Sequence, residues 1–204
     1  PDVPQKVIYN GVSVSDVKPI KPVFVDHDDA FIFSIGIIGE KKNFHVLVEA
    51  MKELTSLKLF LCGNASSKYA DKIRALITKH KLEKRVVITG EVSESEKNWM
   101  FINSKAFVFP SLSEGFGLPV VEAMYFGKPV VLSKLTSLPE IGGEEAVYLD
   151  NFLPEEIASK IEFAIKNHTT EKIKALKNRA SLFSWQKAAE QYLEIYNTIL
   201  RKIN

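Results

Sequence analysis

Residues 106–133, AFVFPSLSEGFGLPVVEAMYFGKPVVLS, decide the fold because they hold two strands and a connecting helix in one stretch. The strand segments at 106–110 and 128–133 are short and almost wholly apolar, which is typical of strands covered on both faces in a parallel sheet. Between them, LPVVEAMYF at 118–126 predicts a helix with Pro119 in its first turn, where proline is tolerated. The stretch therefore predicts a strand–loop–helix–strand unit.

The same alternation of apolar strands and amphipathic helices runs through the rest of the chain. Further strands are predicted at 30–35, 57–62, 85–90 and 146–150, and further helices at 44–54, 68–82, 93–104, 154–167, 170–183 and 185–202. The predicted fold class is α/β: a Rossmann-like, doubly wound parallel sheet of about six strands with helices on both faces. Ligands bind such sheets outside the carboxyl ends of the strands, so we expect site residues in the loops that follow them.

The sequence divides into three segments. Residues 1–29 indicate an inter-domain crossover and linker, in which PQKVIYNGVSV predicts a short strand and an Asn-Gly turn. Residues 30–184 form the Rossmann-like domain, and residues 185–204 a C-terminal helix. Because the chain begins with Pro1 rather than methionine, we expect either a domain of a longer protein or a natural half-protein.

Composition and missing motifs argue against several classes of function. With 27 basic and 25 acidic residues, the formal charge of +2 gives no bulk attraction to nucleic acid. Cys62 is the single cysteine, so we expect a buried thiol and no internal disulfide. The four histidines lack metal-ligand spacing, and the P-loop and nucleophile-elbow motifs are absent. With no apolar run of the ~20 residues that span a bilayer and no signal peptide, we expect a cytoplasmic protein.

Glu122 is the one acidic residue in an otherwise apolar helix. Ionised carboxylates are rarely buried without a partner. If Glu122 faces a cleft at the sheet edge, sugar hydroxyls would suit it, because a carboxylate accepts two hydrogen bonds from a vicinal diol. The alternative is that it pairs with a basic neighbour.

Glu114 stands just before Gly115 and Gly117, in the loop that leads into the same helix. The glycines allow close approach of the backbone, and free N–H groups at the helix start attract anions such as phosphate. Glu114 itself is better placed to bind hydroxyls or a developing positive charge. The alternative is that the two glycines only make a turn.

Five further polar residues follow predicted strands or begin predicted helices. Lys41 and Lys42 precede a helix, where lysine opposes the helix dipole, so we interpret them as partners of a diphosphate rather than as solvated residues. Glu140 follows the fifth strand, and the sequence favours ligand binding and a position at a helix start equally. Asn64 is interpreted chiefly as a strand terminator, and His45 as a solvated or packing residue.

At this point the sequence shows a family resemblance. EGFGLPVVE, with PS before it and AMYFGKPVV after it, resembles the Glu-x7-Glu signature of retaining glycosyltransferases of family 4, the glycosyl transferases group 1. Other stretches are similar to the family in the same order: SIGIIGEKKNFHVLVEAM, LFLCGNA, VVITGEVSESE, AFVFPS, SLPEIGGEEAVYLD and FSWQKAAEQYLEIY. The resemblance covers nearly the whole chain and implies one half of a GT-B fold, namely the C-terminal, donor-binding domain over residues 30–184.

The resemblance implies roles for particular residues. Glu114 and Lys42 would be catalytic, and Glu122 would hold the ribose of a sugar nucleotide, whose base would lie by the loop of Gly90, Glu91 and Val92. The implied donor-binding residues are Lys41, Lys42, Gly115, Phe116, Gly117, Leu118, Glu122, Glu140, Gly90 and Val92. Many members carry arginine where this chain has Ile37, so the residues that would bind the diphosphate depart from the family pattern. Lys41 and Lys42 fit a basic pair that some members have instead.

The implied reaction is transfer of a hexose from a nucleotide-diphosphate sugar, with GDP-mannose favoured and with retention of configuration. The family generally needs no metal, and no cofactor is expected beyond this donor substrate. The acceptor, a saccharide or lipid-linked glycan, would bind through an amino-terminal domain that this chain lacks and on which helix 185–204 would pack. We also expect peripheral contact of the full-length protein with the inner face of the membrane. Two alternatives are another GT-B enzyme, such as a sugar-nucleotide epimerase, and a non-catalytic sugar-nucleotide-binding module.

Overall fold

The computed structural model describes residues 5–27 and 29–203, without the side chains of residues 202 and 203. A parallel sheet has the strand order β3-β2-β1-β4-β5-β6. Its strands are β1 Phe31–Ile35, β2 Lys58–Cys62, β3 Val86–Gly90, β4 Ala106–Phe109, β5 Val130–Ser133 and β6 Val147–Leu149. The helices are α1 His45–Ala50, α2 Lys68–Lys79, α3 Glu94–Asn103, α4 Leu118–Tyr125, α5 Leu138–Gly142, α6 Pro154–Lys166, α7 Thr170–Ala180 and α8 Trp185–Ile203.

These bounds confirm the predicted doubly wound α/β fold. All six predicted strands form, each in parallel with its neighbours. The start of α3 is capped, because Ser93 and Glu96 exchange hydrogen bonds in a capping box. The short helix α5 was not predicted, and a 3-10 turn, Glu40–Lys42, precedes α1.

The sheet is covered on both faces. One face packs with α1, α2 and α6 through residues such as Leu59 and Leu61. The opposite face holds Phe31, Phe60 and Cys62 and packs with α3, α4 and α7. Because successive strand residues point to opposite faces, both sets must be apolar, which explains the continuous apolar runs. Burial also raises the pKa of the Cys62 thiol to about 12 and confirms that it is a core residue.

Three glycines end the first three strands and form the edge where the site lies. The Gly36 N–H donates to Cys62 O at 2.9 Å, and the Gly63 N–H donates to Gly90 O at 2.7 Å. Gly36 and Gly63 have φ values of +146° and +131°, and a Cβ on Gly63 would lie 2.1 Å from Gly36 O. The close approach of the Gly36 and Gly63 backbones requires glycine at position 63.

The predicted strand and Asn-Gly turn near the start of the chain are wrong. Pro4 lies outside the described residues, and residues 5–14 contain neither a strand nor a turn. The segment runs instead along the junction of α7 and α8, where the Val12 N–H donates to Phe183 O at 3.0 Å. Gly11 is needed for contact, since a Cβ there would lie 2.1 Å from the backbone nitrogen of Trp185. That the segment joins two domains stays a prediction.

Helix α8 exposes several large apolar side chains, including those of Trp185, Tyr192 and Tyr196. That this helix packs on another domain stays a prediction. Within the described part of the chain, none of the helices has both the length and the apolar character needed to cross a bilayer.

Candidate functional site

Lys42 and Glu114 meet at the carboxyl edge of the sheet, on the loops that follow β1 and β4. Lys42 Nζ lies 2.6 Å from Glu114 Oε1, and the two side chains are 19% and 14% exposed. The Lys42 ammonium also lies 4.5 Å above the centre of the Phe109 ring, and Ser111 Oγ donates to Glu114 Oε1. The structure therefore brings together the two residues that the resemblance implied to be catalytic.

Lys42 reaches this position because of the backbone around it. The Glu40–Lys42 turn ends at Asn43, whose left-handed φ of 58° redirects the chain into α1. The Lys42 side chain then lies over Gly36, where a Cβ would come 2.7 Å from Lys42 Cε. Lys41 points elsewhere: its side chain is exposed, and its carbonyl accepts a hydrogen bond from the Leu112 N–H and lies 3.0 Å from Ser111 Oγ. Lys41 thus joins the two loops through its backbone, and its predicted contact with a diphosphate remains a prediction.

The glycine loop 110–117 is held from outside by the segment that follows β5. The Glu114 N–H donates to Thr136 Oγ1 at 3.0 Å, and Ser137 Oγ lies 3.1 Å and 3.0 Å from the carbonyl oxygens of Glu114 and Phe116. Gly117 has a φ of +102°, which glycine adopts readily and which starts α4.

The backbone amides at this helix start have no hydrogen-bond partner in the described part of the chain; they belong to Gly115, Phe116, Gly117 and Leu118. Free amides and the dipole of α4 favour an anion at this point.

Glu122 has a partner within the chain. Its Oε1 lies 2.9 Å from Lys97 Nζ on α3, and the two side chains are 15% and 14% exposed. Lys97 also lies 2.8 Å from the exposed Glu94, one turn earlier on its own helix. The alternative that Glu122 pairs with a basic neighbour is thus what the structure shows, and binding of a ribose stays a prediction.

Burial and pairing act in opposite directions on this ion pair. Burial raises the pKa of Glu122 above its ordinary value, although Lys97 opposes the shift. Burial also acts to lower the pKa of Lys97, but Glu122 and Glu94 outweigh it, so that the pKa of the lysine is raised. Lys97 is therefore held as a cation beside the Glu122 carboxylate.

Lys97 was missed at the sequence level, although a signal was available. It lies in the first half of α3, close behind a capping box, where a lysine opposes the helix dipole. That argument singled out Lys41 and Lys42 and applies to Lys97 equally. Sequence reasoning also missed Ser111, whose hydroxyl binds Glu114.

Glu140 lies in the first turn of α5 and is exposed, which agrees with the helix-start alternative, and its predicted contact with the donor stays a prediction. It also accepts a hydrogen bond from the hydroxyl of Tyr9, a residue of the amino-terminal segment. The Tyr9 ring in turn contacts Phe116, which packs edge-on against Phe183 with ring centres 5.6 Å apart. Phe116 therefore anchors the glycine loop in an aromatic cluster.

The remaining predicted residues surround this edge. Gly90 ends β3 with a φ of +76°, and Val92 is half-buried against the apolar face. Asn64 Nδ2 lies 3.4 Å from Glu91 Oε1, so the loops after β2 and β3 also meet. His45 is exposed and contacts the Tyr69 hydroxyl through Nδ1 at 2.9 Å, while partial burial lowers its pKa.

Comparison with known proteins identifies the family. Residues 18–182 match the family model described as glycosyl transferases group 1, so the chain belongs to this family. Curated relatives include O-antigen chain mannosyltransferase B of Escherichia coli, 28% identical over 81% of this chain and 45% of its own. The mannosyltransferase WbdA of the same organism is 30% identical over 85% of this chain and 22% of its own. The chain thus spans less than half the length of either relative.

Solved structures share the fold. Sucrose-phosphate synthase from Thermosynechococcus elongatus matches with a TM-score of 0.82 and 21% identity, over 97% of this chain and 53% of its own. HepE from Anabaena, in complex with UDP-glucose, matches with a TM-score of 0.75 and 22% identity, over 84% of this chain and 49% of its own. The doubly wound sheet therefore corresponds to about half of each, as expected for one half of a GT-B fold.

Proposed function

We propose that this chain is the donor-binding domain of a retaining glycosyltransferase, which transfers a hexose from a nucleotide-diphosphate sugar to a glycan or lipid-linked acceptor. The observation that carries the proposal is the ion pair of Lys42 with Glu114 beside the free amides that start α4. A cation, a carboxylate and unpaired N–H groups meet at one edge of the sheet. These are the groups that a sugar diphosphate needs for its phosphates and for its hydroxyls.

The phosphates would lie between Lys42 and the start of α4. Lys42 supplies a point charge, while the amides of Gly115, Phe116 and Gly117 supply hydrogen bonds. On donor binding the diphosphate would compete with Glu114 for the ammonium. As the bond to the sugar breaks, negative charge grows on the diphosphate, and these fixed donors stabilise it in the transition state.

The sugar and ribose would lie against the two carboxylates. Glu114 is held by Ser111 and Lys42, so it could accept hydroxyls of the hexose and favour positive charge at its anomeric carbon. Glu122, one turn into α4, would accept the ribose hydroxyls. The base would lie beside the loop of Gly90, Glu91 and Val92. No metal or cofactor has a role in this proposal.

GDP-mannose is the favoured donor because relatives similar over most of this chain are named mannosyltransferases. The acceptor would bind to a part of the protein outside this chain. We propose a cytoplasmic location, with peripheral contact at the inner face of the membrane during synthesis of a surface polysaccharide.

Calorimetric titration of this chain with GDP, UDP and ADP tests the proposal. We expect one of them to bind and Glu122→Ala to weaken its binding, while Glu144→Ala, which removes an exposed acid of the 3-10 turn after α5, leaves the affinity unchanged. Absence of binding by all three nucleotides would contradict the proposal. Product analysis of the full-length protein then separates transfer, which consumes an acceptor, from epimerisation, which does not.

A further inference from the structure

The ion pair of Lys97 with Glu122 joins two helices that have other means of stabilisation. Both side chains are largely buried, and the contact spans 25 positions of sequence. A buried ion pair is seldom more stable than an apolar pair of the same volume, because both charges lose their hydration. Helix α3 is already capped by Ser93 and Glu96. The Lys97–Glu122 pair loses hydration energy without being needed for stability, so we consider it as a candidate for a role in ligand binding.

The pair is asymmetric in a way that suits ligand binding. Lys97 has a second carboxylate, Glu94, at 2.8 Å, so it keeps a partner whatever Glu122 binds. Glu122 uses one oxygen, Oε1, for Lys97. A carboxylate has two oxygens with about four acceptor positions, so the second oxygen can accept from a ligand while the first stays on the lysine.

Resting on the proposed function, we propose that Lys97 is a positioning residue for ribose recognition. It holds the Glu122 carboxylate by one oxygen and leaves the other oxygen to accept from the ribose hydroxyls. The ion pair with Glu94 keeps the Lys97 side chain in place when the ligand binds. Lys97 thus acts on the nucleotide through Glu122.

Charge strengthens this geometric role. Burial is the main cause that raises the pKa of Glu122; the charged groups that act on it are Lys97, which lowers the pKa, and Glu94, which raises it slightly, both on α3. On α7, which packs against the same helix, Arg179 binds carbonyls of α5 and Lys177 lies beside Gly127 beyond the end of α4. Removing Lys97 would therefore raise the pKa of Glu122 further and leave the carboxyl group partly protonated in mild acid.

The test compares ribose and dideoxyribose nucleotides in two lysine variants. GDP and UDP are each titrated beside their 2′,3′-dideoxy analogues into the unaltered chain, into Lys97→Met and into Lys105→Met, which removes an exposed lysine just after α3. The titrations run from about pH 5.5 to about pH 8.5, where a carboxyl group with a raised pKa changes charge. Melting curves establish that each variant is folded.

The unaltered chain and Lys105→Met are expected to prefer the ribose form roughly tenfold or more at every pH, because charge-assisted hydrogen bonds are lost with the hydroxyls. In Lys97→Met the preference is expected to fall several-fold at every pH, because the carboxylate is no longer held in place, and to fall further toward the acid end. An unchanged preference would overturn the inference.

The pKa of Glu122 can also be read without ligand, from the ¹³C shift of its carboxyl carbon in the unaltered chain and in Lys97→Met. An unchanged pKa would overturn the inference even if nucleotide binding weakens. If the unaltered chain binds neither GDP nor UDP, the proposed function itself fails and this inference falls with it, whereas failure in the variants alone leaves the proposed function standing.

Discussion

The Lys42 side chain lies directly over Gly36, so closely that a Cβ on the glycine would stand 2.7 Å from Lys42 Cε. Gly36 also has a φ of +146°, a conformation that residues with a side chain rarely adopt. Gly36 therefore both ends β1 and leaves the space in which the Lys42 side chain lies.

Gly36→Ala is expected to displace Lys42 and to lower the free energy of unfolding by roughly 1–3 kcal/mol through backbone strain. Nucleotide affinity should fall as well, since the ammonium leaves Glu114 and the phosphate position. Denaturant unfolding and calorimetry measure the two effects. Gly39→Ala is the matched control, because an added Cβ there meets nothing nearer than 3.9 Å. Equal behaviour of the two variants would contradict the prediction.

Lys42→Met is expected to weaken binding of a nucleoside diphosphate by roughly ten- to hundredfold, the worth of a charge-assisted hydrogen bond. Lys41→Met should have a much smaller effect, because the Lys41 side chain is exposed while its carbonyl makes the contacts. Calorimetry with the diphosphate and with the free nucleoside checks the cause. The nucleoside should bind both variants alike, and a larger loss in Lys41→Met would show that the wrong lysine was chosen.

The strands could be predicted from sequence because each is a short apolar run, and β1, β2 and β3 end at or before a glycine. The sequence shows where the glycines are, but they have different structural roles. Gly36 and Gly63 end strands and also allow their backbones to meet, which was not predicted, whereas Gly11 permits contact with Trp185 and not the Asn-Gly turn that was predicted. Close approach and turning both require glycine, so the residue alone does not separate them.

The sequence could predict which loops form the candidate site, but not which side chains of neighbouring helices contact each other there. Lys42 and Glu114 follow different strands whose carboxyl ends share an edge, so their proximity follows from topology. The pairing of Glu122 with Lys97 depends instead on which sides of α3 and α4 face each other, and periodicity does not give this. Helix α5, with five residues, is too short to show a helical period.

Asp150 makes part of the acid stability of this chain depend on surface ion pairs. Hydrogen bonds from Lys134 and Lys160 lower the pKa of Asp150 from 3.8 to about 2. Because the folded-state pKa is the lower one, the stabilisation is present above about pH 4 and is lost as pH falls toward about 2. Asp150→Asn should therefore reduce the change in stability over this range, measured by urea unfolding at several pH values.

The effect of Asp150 should be small and should shrink further with added salt, because the side chain is exposed and its ion pairs are screened. Asp71→Asn is a suitable control, since Asp71 is an exposed aspartate with one ion-pair partner, Arg74. A steeper loss of stability in Asp150→Asn than in the unaltered chain would contradict the assigned direction of the pKa shift.

Gly11→Ala is expected to detach the amino-terminal segment from the α7–α8 junction. An added Cβ would lie 2.1 Å from the backbone nitrogen of Trp185, and backbone cannot move aside as a flexible side chain can. The hydrogen bond from the Val12 N–H to Phe183 O would then be strained or lost, and the neighbouring Tyr9 would leave Phe116. Limited proteolysis should show faster cleavage within residues 5–20, because detached backbone is open to proteases. Gly115→Ala, where an added Cβ meets nothing within 4 Å, should leave the cleavage rate unchanged; equal rates in both variants would show that the segment is not held through Gly11.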